Sequence, residues 1–279
     1  MNTFRKLVYP YCVWIGIFIV IPMLMIVVYA FSQAGNDVTT LSFTLANFQK
    51  FFSPVFGSVF IKSIWIAIVT TVVCILLGYP LAYFIAQKSE NVRNTMILLM
   101  TFPQWINMLI RTYSWIGILS EAGLINTILS YLGLPKVDLL YTDFAVILGM
   151  IYNFLPFMVL PIYTSLSKMD QSLVQASYDL GANKVQTFQK VIFPLSLPGV
   201  LSGITMVFLP AVSSFVIPKL LGGGQYMLIG SLIENQFITV GEWNFGSAIS
   251  LVMTIIILIS MYFLKKVDHE VVEEGGKKV

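Results

Sequence analysis

The chain has 279 residues, of which 57% are hydrophobic and 10% are charged, and its formal net charge is +3. A soluble domain carries about 25% charged residues, so this composition favours a membrane protein, and the small positive charge gives no reason to expect a nucleic-acid partner. Both cysteines, Cys12 and Cys74, lie in apolar runs, and the one histidine, His269, lies in a charged tail. We therefore expect neither a disulfide framework nor a metal site.

Six apolar runs are long enough to cross a bilayer, which takes about 20 residues of helix. Five of them contain no charged residue, and the sixth contains only Arg111. The first run is too long for a cleavable signal peptide and is interpreted as a signal anchor. The sequence thus predicts an all-α membrane protein with one transmembrane domain over residues 1–279. The predicted spans are approximately 10–32, 63–87, 95–117, 144–166, 195–217 and 243–264.

The lysines and arginines between the spans indicate the orientation of the chain. If the amino terminus is cytoplasmic, eleven of these residues fall on cytoplasmic segments. The four on outer segments are Lys50, Lys62, Lys136 and Lys219. We therefore expect both termini to be cytoplasmic, with a cytoplasmic tail over residues 265–279.

Three outer segments are not predicted to be spans. Residues 40–54 and 126–135 have the pattern of short amphipathic helices that lie on the membrane surface. Residues 220–237 are apolar, but Gly222, Gly223 and Gly224 weaken a helix there, which favours a re-entrant or surface-packed segment. The outer loops are mildly acidic, which suits either simple solvation or a face that tolerates a cationic solute or docks a partner.

A polar segment, here called loop 168–194, separates the fourth and fifth spans on the predicted cytoplasmic side. Asp170 can cap a helix over 172–180, Gly181 can end it, and Asn183 can cap a second short helix. An apolar stripe at helical spacing follows in that second helix, formed by Val185, Phe188, Val191 and Ile192. The residue types alone leave two interpretations open, an amphipathic surface loop or an element that docks another domain.

The spacing of this loop resembles the EAA loop of ABC-importer permeases, which reads Glu-Ala-Ala, three residues, glycine, nine residues, then Ile-x-Leu-Pro. Here Gln175-Ala176-Ser177 is followed at the same spacing by Gly181 and by Val191-Ile192-Phe193-Pro194. The resemblance implies a coupling helix that docks on a cytoplasmic ATPase. It assigns this coupling to Gln175, Ala176, Ser177, Asp179, Gly181, Val185, Phe188 and Pro194. Because Gln175 replaces the glutamate of the motif, we expect its contact to be less sensitive to salt.

Four further stretches resemble the spermidine and putrescine permeases within this family, namely residues 76–86, 108–115, 155–170 and 178–200. The resemblance implies a type I ABC importer permease fold in the bacterial plasma membrane. It also implies a second homologous permease subunit, a dimeric cytoplasmic ATPase that binds ATP and Mg²⁺, and an extracytoplasmic solute-binding protein. This chain is expected to bind no cofactor and, since it lacks a Walker A motif, not to be an enzyme itself.

Other solutes remain open, because permeases for thiamine, ferric iron and sulfate share much of the pattern. Outside the family, the alternative is a channel or scaffold protein that works without an ATPase. A membrane-embedded enzyme would need clustered acidic, basic or nucleophilic side chains at membrane depth, and the predicted spans contain no such cluster.

Polar and aromatic residues inside the spans are the candidates for a translocation path, because polar groups in a membrane usually face protein or water. Arg111 would repel a polycation, so we expect a structural role for it, through pairing with an acid or with carbonyl oxygens, or snorkelling to the outer surface. The path candidates are Trp105, Asn107, Tyr113, Tyr152, Asn153, Ser213, Ser214, Phe215 and Glu234. Interfacial anchoring, helix packing and loop solvation are their alternative roles.

Overall fold

The computed structural model describes residues 2–33, 42–51, 53–224 and 226–277. These residues are helical apart from short connections, and among them one isolated antiparallel bridge joins Ser32 to Phe43. In chain order the α-helices are α1 Asn2–Ile15, α2 Ile21–Ala30, α3 Ala46–Phe51, α4 Pro54–Ala86, α5 Glu90–Thr101, α6 Met108–Leu119, α7 Leu124–Tyr131, α8 Asp143–Ser167, α9 Gln171–Asp179, α10 Lys184–Thr187, α11 Phe193–Ser213, α12 Val216–Leu221, α13 Ile229–Asn235 and α14 Trp243–Lys277.

Five helical stretches within the described ranges are long and apolar enough to cross a membrane. Two of them contain π-helical turns that continue the helix, Gly16–Val20 between α1 and α2 and Phe188–Ile192 between α10 and α11. The five stretches are Tyr9–Ala30, Pro54–Ala86, Asp143–Ser167, Lys184–Ser213 and Trp243–Tyr262. They match five of the six predicted spans in place. The number of crossings and the side on which the termini lie stay predictions.

The predicted third span, 95–117, is wrong as a single helix. Helix α5 ends at Thr101, a 3₁₀ turn follows over Phe102–Trp105, and α6 starts only at Met108. Pro103 removes the hydrogen bond to Leu99 that a continuous helix would make and so favours a break here, although α8 runs unbroken through Pro156 and Pro161. The Asn107 side chain then accepts a 2.8 Å hydrogen bond from Leu109 N, which caps the new helix.

The helix at the predicted fifth span, approximately 195–217, has other bounds than the span. It is continuous from Lys184, and it ends at Ser213. Ser214 is extended, with a ψ of 136°, and α12 begins at Val216. In an unbroken helix the carbonyl of Ser214 would normally accept a hydrogen bond from the N–H at position 218. Pro218 cannot supply that N–H, and its ring would collide with the same carbonyl.

The last helix is longer than the predicted span 243–264. Helix α14 runs from Trp243 to Lys277 and so includes most of the predicted tail 265–279, of which residues 278 and 279 lie outside the described ranges. The polar residues 265–274 contain no glycine or proline, so nothing in them ends a helix that has already started.

The chain divides into two compact units. The first comprises Met1–Ile61 and Gly230–Leu258, and the second Lys62–Ile229 and Ile259–Val279. In the first unit, side-chain amides hold the end of α2. Asn47 Nδ2 donates to Ala30 O at 3.1 Å, and Asn244 Nδ2 donates to Ser32 O at 3.0 Å. Ala30 O is one of the carbonyls at the end of α2 that have no partner within the helix, and Ser32 lies just beyond that end.

Helices α8 and α11 form the core of the second unit, and two glycines allow their close packing. A Cβ at Gly199 would lie 2.7 Å from the carbonyl oxygen of Pro161, and a Cβ at Gly203 would lie 2.7 Å from Met158 Sδ. Gly78 of α4 approaches the same methionine, since its Cβ would lie 3.0 Å from Met158 Cγ. Small residues four positions apart are a common way for membrane helices to approach each other closely.

The predicted outer segments are short helices and turns. Helix α3 falls within 40–54, and α7, Leu124–Tyr131, overlaps 126–135. Segment 220–237 is interrupted between Leu221 and Ile229, where the described residues are not helical. The described part of this segment is therefore not a seventh continuous span, as the sequence predicted.

Candidate functional site

Loop 168–194 begins with a capped helix. The Asp170 carboxylate accepts a 2.9 Å hydrogen bond from Ser172 N at the start of α9. This backbone bond, and a further one from the Ser172 side chain, lower the pKa of the Asp170 carboxyl. The cap therefore stays ionised at neutral pH and is lost only in acid. Asp170 was predicted to be this cap, and the prediction is confirmed.

A Schellman motif ends α9 at Gly181. Ala182 N donates to Ser177 O at 3.0 Å, and Gly181 N donates to Tyr178 O at 2.9 Å. Gly181 has a φ of 82°, in the left-handed region where a residue with a Cβ is strained. The predicted stop at this glycine is thus confirmed, and it turns the chain directly into the second helix.

A reciprocal capping box starts the second helix. Gln186 N donates to Asn183 Oδ1, and Asn183 N donates to Gln186 Oε1, both at 2.9 Å. The predicted cap at Asn183 is confirmed. The helix that follows is not a separate short one, however, because it continues without a break into α11. Pro194 accordingly lies inside this continuous helix, at the second position of α11.

The two helices of loop 168–194 are tied together by side chains that face each other. Ser177 Oγ lies 2.9 Å from Thr187 Oγ1, and both side chains are buried. Ser177 Oγ also donates to Val174 O at 2.8 Å. The small side chain at 177 thus admits the second helix of the same loop, whereas Ala176 beside it is exposed.

Phe188 anchors the loop on α4. Its ring meets Tyr79 edge-on at 5.7 Å and Tyr83 edge-on at 5.8 Å, measured between ring centroids. Tyr79 is held in turn by a 2.8 Å hydrogen bond between its hydroxyl and Ser196 Oγ. Phe188 therefore packs against α4 and is not among the exposed residues of the loop.

The outer surface of the loop combines polar and apolar side chains. Leu180 is 89% exposed and Val185 is 63% exposed, so Val185 is not part of a buried stripe. Besides Val185, the exposed residues among those assigned to coupling are Gln175, Ala176, Asp179, Gly181 and Pro194. Single exposed apolar residues are common on protein surfaces, so Leu180 and Val185 do not by themselves identify a partner.

Two adjacent path candidates, Tyr152 and Asn153, lie on α8 in the second unit. Trp115 packs edge-on against the Tyr152 ring at 5.5 Å, and the guanidinium carbon of Arg111 lies 5.9 Å from the centre of the same ring. The next residue, Asn153, is buried. Its carbonyl accepts a 3.1 Å hydrogen bond from Gln104 Nε2, while its side-chain Oδ1 has no partner among the described residues.

Arg111 is 8% exposed, and its Nε and Nη1 are buried without a hydrogen-bond partner in the described part of the chain. The pairing that we expected with an acid or with carbonyl oxygens is not observed at these two nitrogens. The Tyr152 ring is the group that faces the charge instead, in a cation–π arrangement. A structural role for Arg111 stays a prediction.

The remaining path candidates lie in several places. Trp105 and Phe215 are exposed, and Asn107 serves as the cap of α6. Tyr113 lines a cavity of about 550 Å³ with Tyr141 and the glycines at 222–224.

The last path candidates lie at or after the end of α11. Ser213 donates to Leu209 O at 3.1 Å, and Ser214 is the extended residue that follows α11. Glu234 belongs to the first unit, in α13.

One cluster in the second unit was not predicted from the sequence. Lys62 Nζ lies 3.2 Å from Asp143 Oδ1 and 4.0 Å from the centre of the Tyr226 ring, and the Tyr226 hydroxyl donates to the same Asp143 oxygen. The three residues come from α4, from the start of α8 and from the segment before α13. Their sequence neighbourhoods contain no shared motif, so only the fold reveals the cluster.

The fold and loop 168–194 define a multi-pass membrane protein with a compact two-helix element between two long, closely packed helices. The chain belongs to the family described as "Binding-protein-dependent transport system inner membrane component", whose family model matches residues 75–271. The resemblance to ABC-importer permeases is therefore confirmed. The chain is a permease subunit of the inner membrane, and not itself an enzyme.

Two curated relatives show how far the similarity extends. The chain is 38% identical over 246 residues to the spermidine/putrescine transport system permease protein PotB of Escherichia coli K12, which covers 87% of this chain and 90% of that protein. It is 35% identical over 268 residues to the PotB of Haemophilus influenzae, with 94% of each chain covered.

A solved structure supports the fold. A chain of a bacterial alginate ABC transporter, crystallised with a periplasmic protein bound to an alginate pentasaccharide, superposes with a TM-score of 0.74. The sequence identity is 19%, and the superposition covers 94% of this chain and 92% of that one. The chain thus has the fold of a type I ABC importer permease.

Proposed function

We propose that this chain is a permease subunit of an ATP-driven polyamine importer and forms half of the translocation path for spermidine and putrescine. The observation that carries the proposal is the 38% identity to the spermidine/putrescine permease of E. coli over 87% of the chain. Identity at this level over nearly the full length supports a shared solute class in a way that the fold alone does not.

The partners follow from the same proposal. A second homologous permease subunit completes the path, because one chain offers a single loop 168–194. A dimeric cytoplasmic ATPase binds ATP and Mg²⁺ and contacts the exposed surface around Gln175 and Leu180. An extracytoplasmic solute-binding protein delivers the polyamine to the outer face. The lipid bilayer surrounds the apolar stretch Tyr9–Ala30, whose side chains are largely exposed and in which Ala30 at the end is buried.

Loop 168–194 acts as the lever in this mechanism. It connects α8 to α11, and these two helices pack as a pair through Gly199 and Gly203. Closure of the ATPase dimer would displace the loop, and the helix pair would move with it as a rigid body. Rocking of that pair opens the path to one side of the membrane and then to the other.

The test is purification of the intact complex and measurement of solute-stimulated ATP hydrolysis. We expect stimulation by spermidine or putrescine loaded on the binding protein, and none by thiamine, ferric iron or sulfate. Stimulation by one of those competitors instead would replace the polyamine assignment. A chain that never copurifies with a nucleotide-binding subunit would favour the channel or scaffold alternative.

Gln175 allows a prediction about the ATPase contact. The Gln175→Glu change restores the charge of the family motif at an exposed position of α9. We expect it to make coupled ATP hydrolysis salt-sensitive, with a change of roughly two- to fivefold between low and high salt that the parent protein lacks. Gln189→Glu, a change at another exposed position whose residue type the motif does not specify, is the control. Equal salt dependence in the parent and both variants would contradict the prediction.

A further inference from the structure

The Lys62 ammonium group occupies a small site made of a carboxylate and an aromatic face. Its Nζ lies 3.2 Å from Asp143 Oδ1 and 4.0 Å above the centre of the Tyr226 ring. Two other lysines with ion pairs, Lys50 and Lys136, are held less closely. Lys50 is 3.5 Å from Glu242 and 5.7 Å from the Phe245 ring, while Lys136 is 3.9 Å from Glu121, with no ring described beneath it.

The groups around Lys62 are held in place independently of the lysine. The Tyr226 hydroxyl donates to Asp143 Oδ1, so the carboxylate is oriented by a second contact. The tyrosine ring packs tightly on Gly222, where a Cβ would lie 2.4 Å from Tyr226 Cγ. Burial and then the bond to Asp143 raise the pKa of the Tyr226 hydroxyl, which therefore keeps its proton and remains a donor.

The site is also accessible to a solute. The Lys62 side chain is 43% exposed and the Asp143 side chain is 61% exposed, so water reaches both. The bias of lysines and arginines predicts that this end of α8 faces the outside. A lysine side chain is flexible and its exposed ion pair is weak, so another ammonium group can displace it at small cost.

We propose that Asp143 and Tyr226 form a recognition site for primary ammonium groups, which Lys62 fills when no solute is present and which a terminal ammonium of the solute takes over. The proposal rests on the proposed function, since a polyamine carries a primary ammonium at its end. A carboxylate and an aromatic face at the observed distances satisfy such a group in the same way as they satisfy Lys62.

The exchange would take place on the helix that leads to loop 168–194. Asp143 is the first residue of α8, and the loop follows its last residue, Ser167. A helix of 25 residues is about 37 Å long, so the site and the loop lie at opposite ends of one element that is long enough to cross the bilayer. A solute bound at the site therefore contacts the first residue of α8, the helix that the ATPase is proposed to move through loop 168–194.

The experiment uses the purified complex without the binding protein and measures equilibrium binding of radiolabelled putrescine and of methylamine. In Lys62→Gln the internal ammonium is removed, so we expect binding of both probes to tighten by about three- to tenfold. Lys62→Arg keeps a cation in the site and should show no gain. The matched control is Lys136→Gln. It removes the same charge from a lysine that is paired with Glu121 but has no aromatic ring described beside it.

Second substitutions identify the recognising groups. Asp143→Asn or Tyr226→Leu, each combined with Lys62→Gln, should remove the gain for both probes. If putrescine and methylamine bind Lys62→Gln no more tightly than Lys136→Gln, the ammonium site is overturned, whatever solute the complex transports. In a different outcome, ATP hydrolysis by the parent complex is stimulated only by a solute that is not a polyamine, while Lys62→Gln still binds methylamine more tightly than the parent. In that case the proposed function is refuted and the ammonium site is retained.

Discussion

Replacing Gly181 with valine is expected to abolish solute uptake while the protein still inserts into the membrane. Gly181 has a φ of 82°, and a β-branched residue in this conformation is strained by more than the roughly 1–2 kcal/mol of an ordinary side chain. The space around it is empty, since a Cβ there would meet no atom within 4 Å. The strain therefore comes from the backbone alone, and it can be relieved only by unwinding the Schellman motif that ends α9.

Unwinding at Gly181 would separate the surface around Gln175 and Leu180 from the helix that starts at Asn183. We expect uptake in vesicles or cells to fall by at least about tenfold, because about 1.4 kcal/mol already corresponds to a factor of ten. Membrane insertion, measured by the amount of protein in the membrane fraction, should be unchanged. Gly181→Asn is the matched control, since asparagine tolerates this conformation and should keep most of the activity. Full uptake by Gly181→Val would refute the lever mechanism.

The turns and caps of loop 168–194 could be predicted from the sequence because they depend on residues within six positions of one another. Asp170, Gly181 and Asn183 each act on their own backbone neighbourhood, and the structure confirms all three. The inward position of Phe188 could not be predicted in the same way. It depends on Tyr79 and Tyr83, which belong to a distant helix.

The errors at the span boundaries have a different origin. A hydropathy window averages over about 20 residues and does not register a single missing N–H, so it passed over Pro103 and Pro218. Both prolines were visible, and Asn107 beside the first one is a good N-cap. The Lys62–Asp143–Tyr226 cluster, by contrast, joins three separate parts of the chain and has no local signal.

Gly199 offers the test of whether α8 and α11 move as one body. Valine there is expected to lower the melting temperature of the purified complex and to abolish uptake. Its Cβ would lie 2.7 Å from the Pro161 carbonyl oxygen, 2.7 Å from Ser165 Cβ and 3.1 Å from Ile162 Cα. Two of these atoms belong to the α8 backbone, which cannot turn aside as a flexible side chain can. Overpacking of this kind costs about 1–3 kcal/mol or more, and here it must push the helices apart.

Gly117→Val is the control for this substitution. Gly117 also lies inside a helix, α6, but a Cβ there would meet no atom within 4 Å, so the same change in side chain should leave the melting temperature close to that of the parent. Gly199→Ala should give an intermediate loss, because one methyl group already enters the crowded space. A Gly199→Val protein as stable and as active as Gly117→Val would show that the helix contact is loose. Helices α8 and α11 would then not move as one rigid body, and the force from the ATPase would have to reach the rest of the unit through Phe188 and α4 instead.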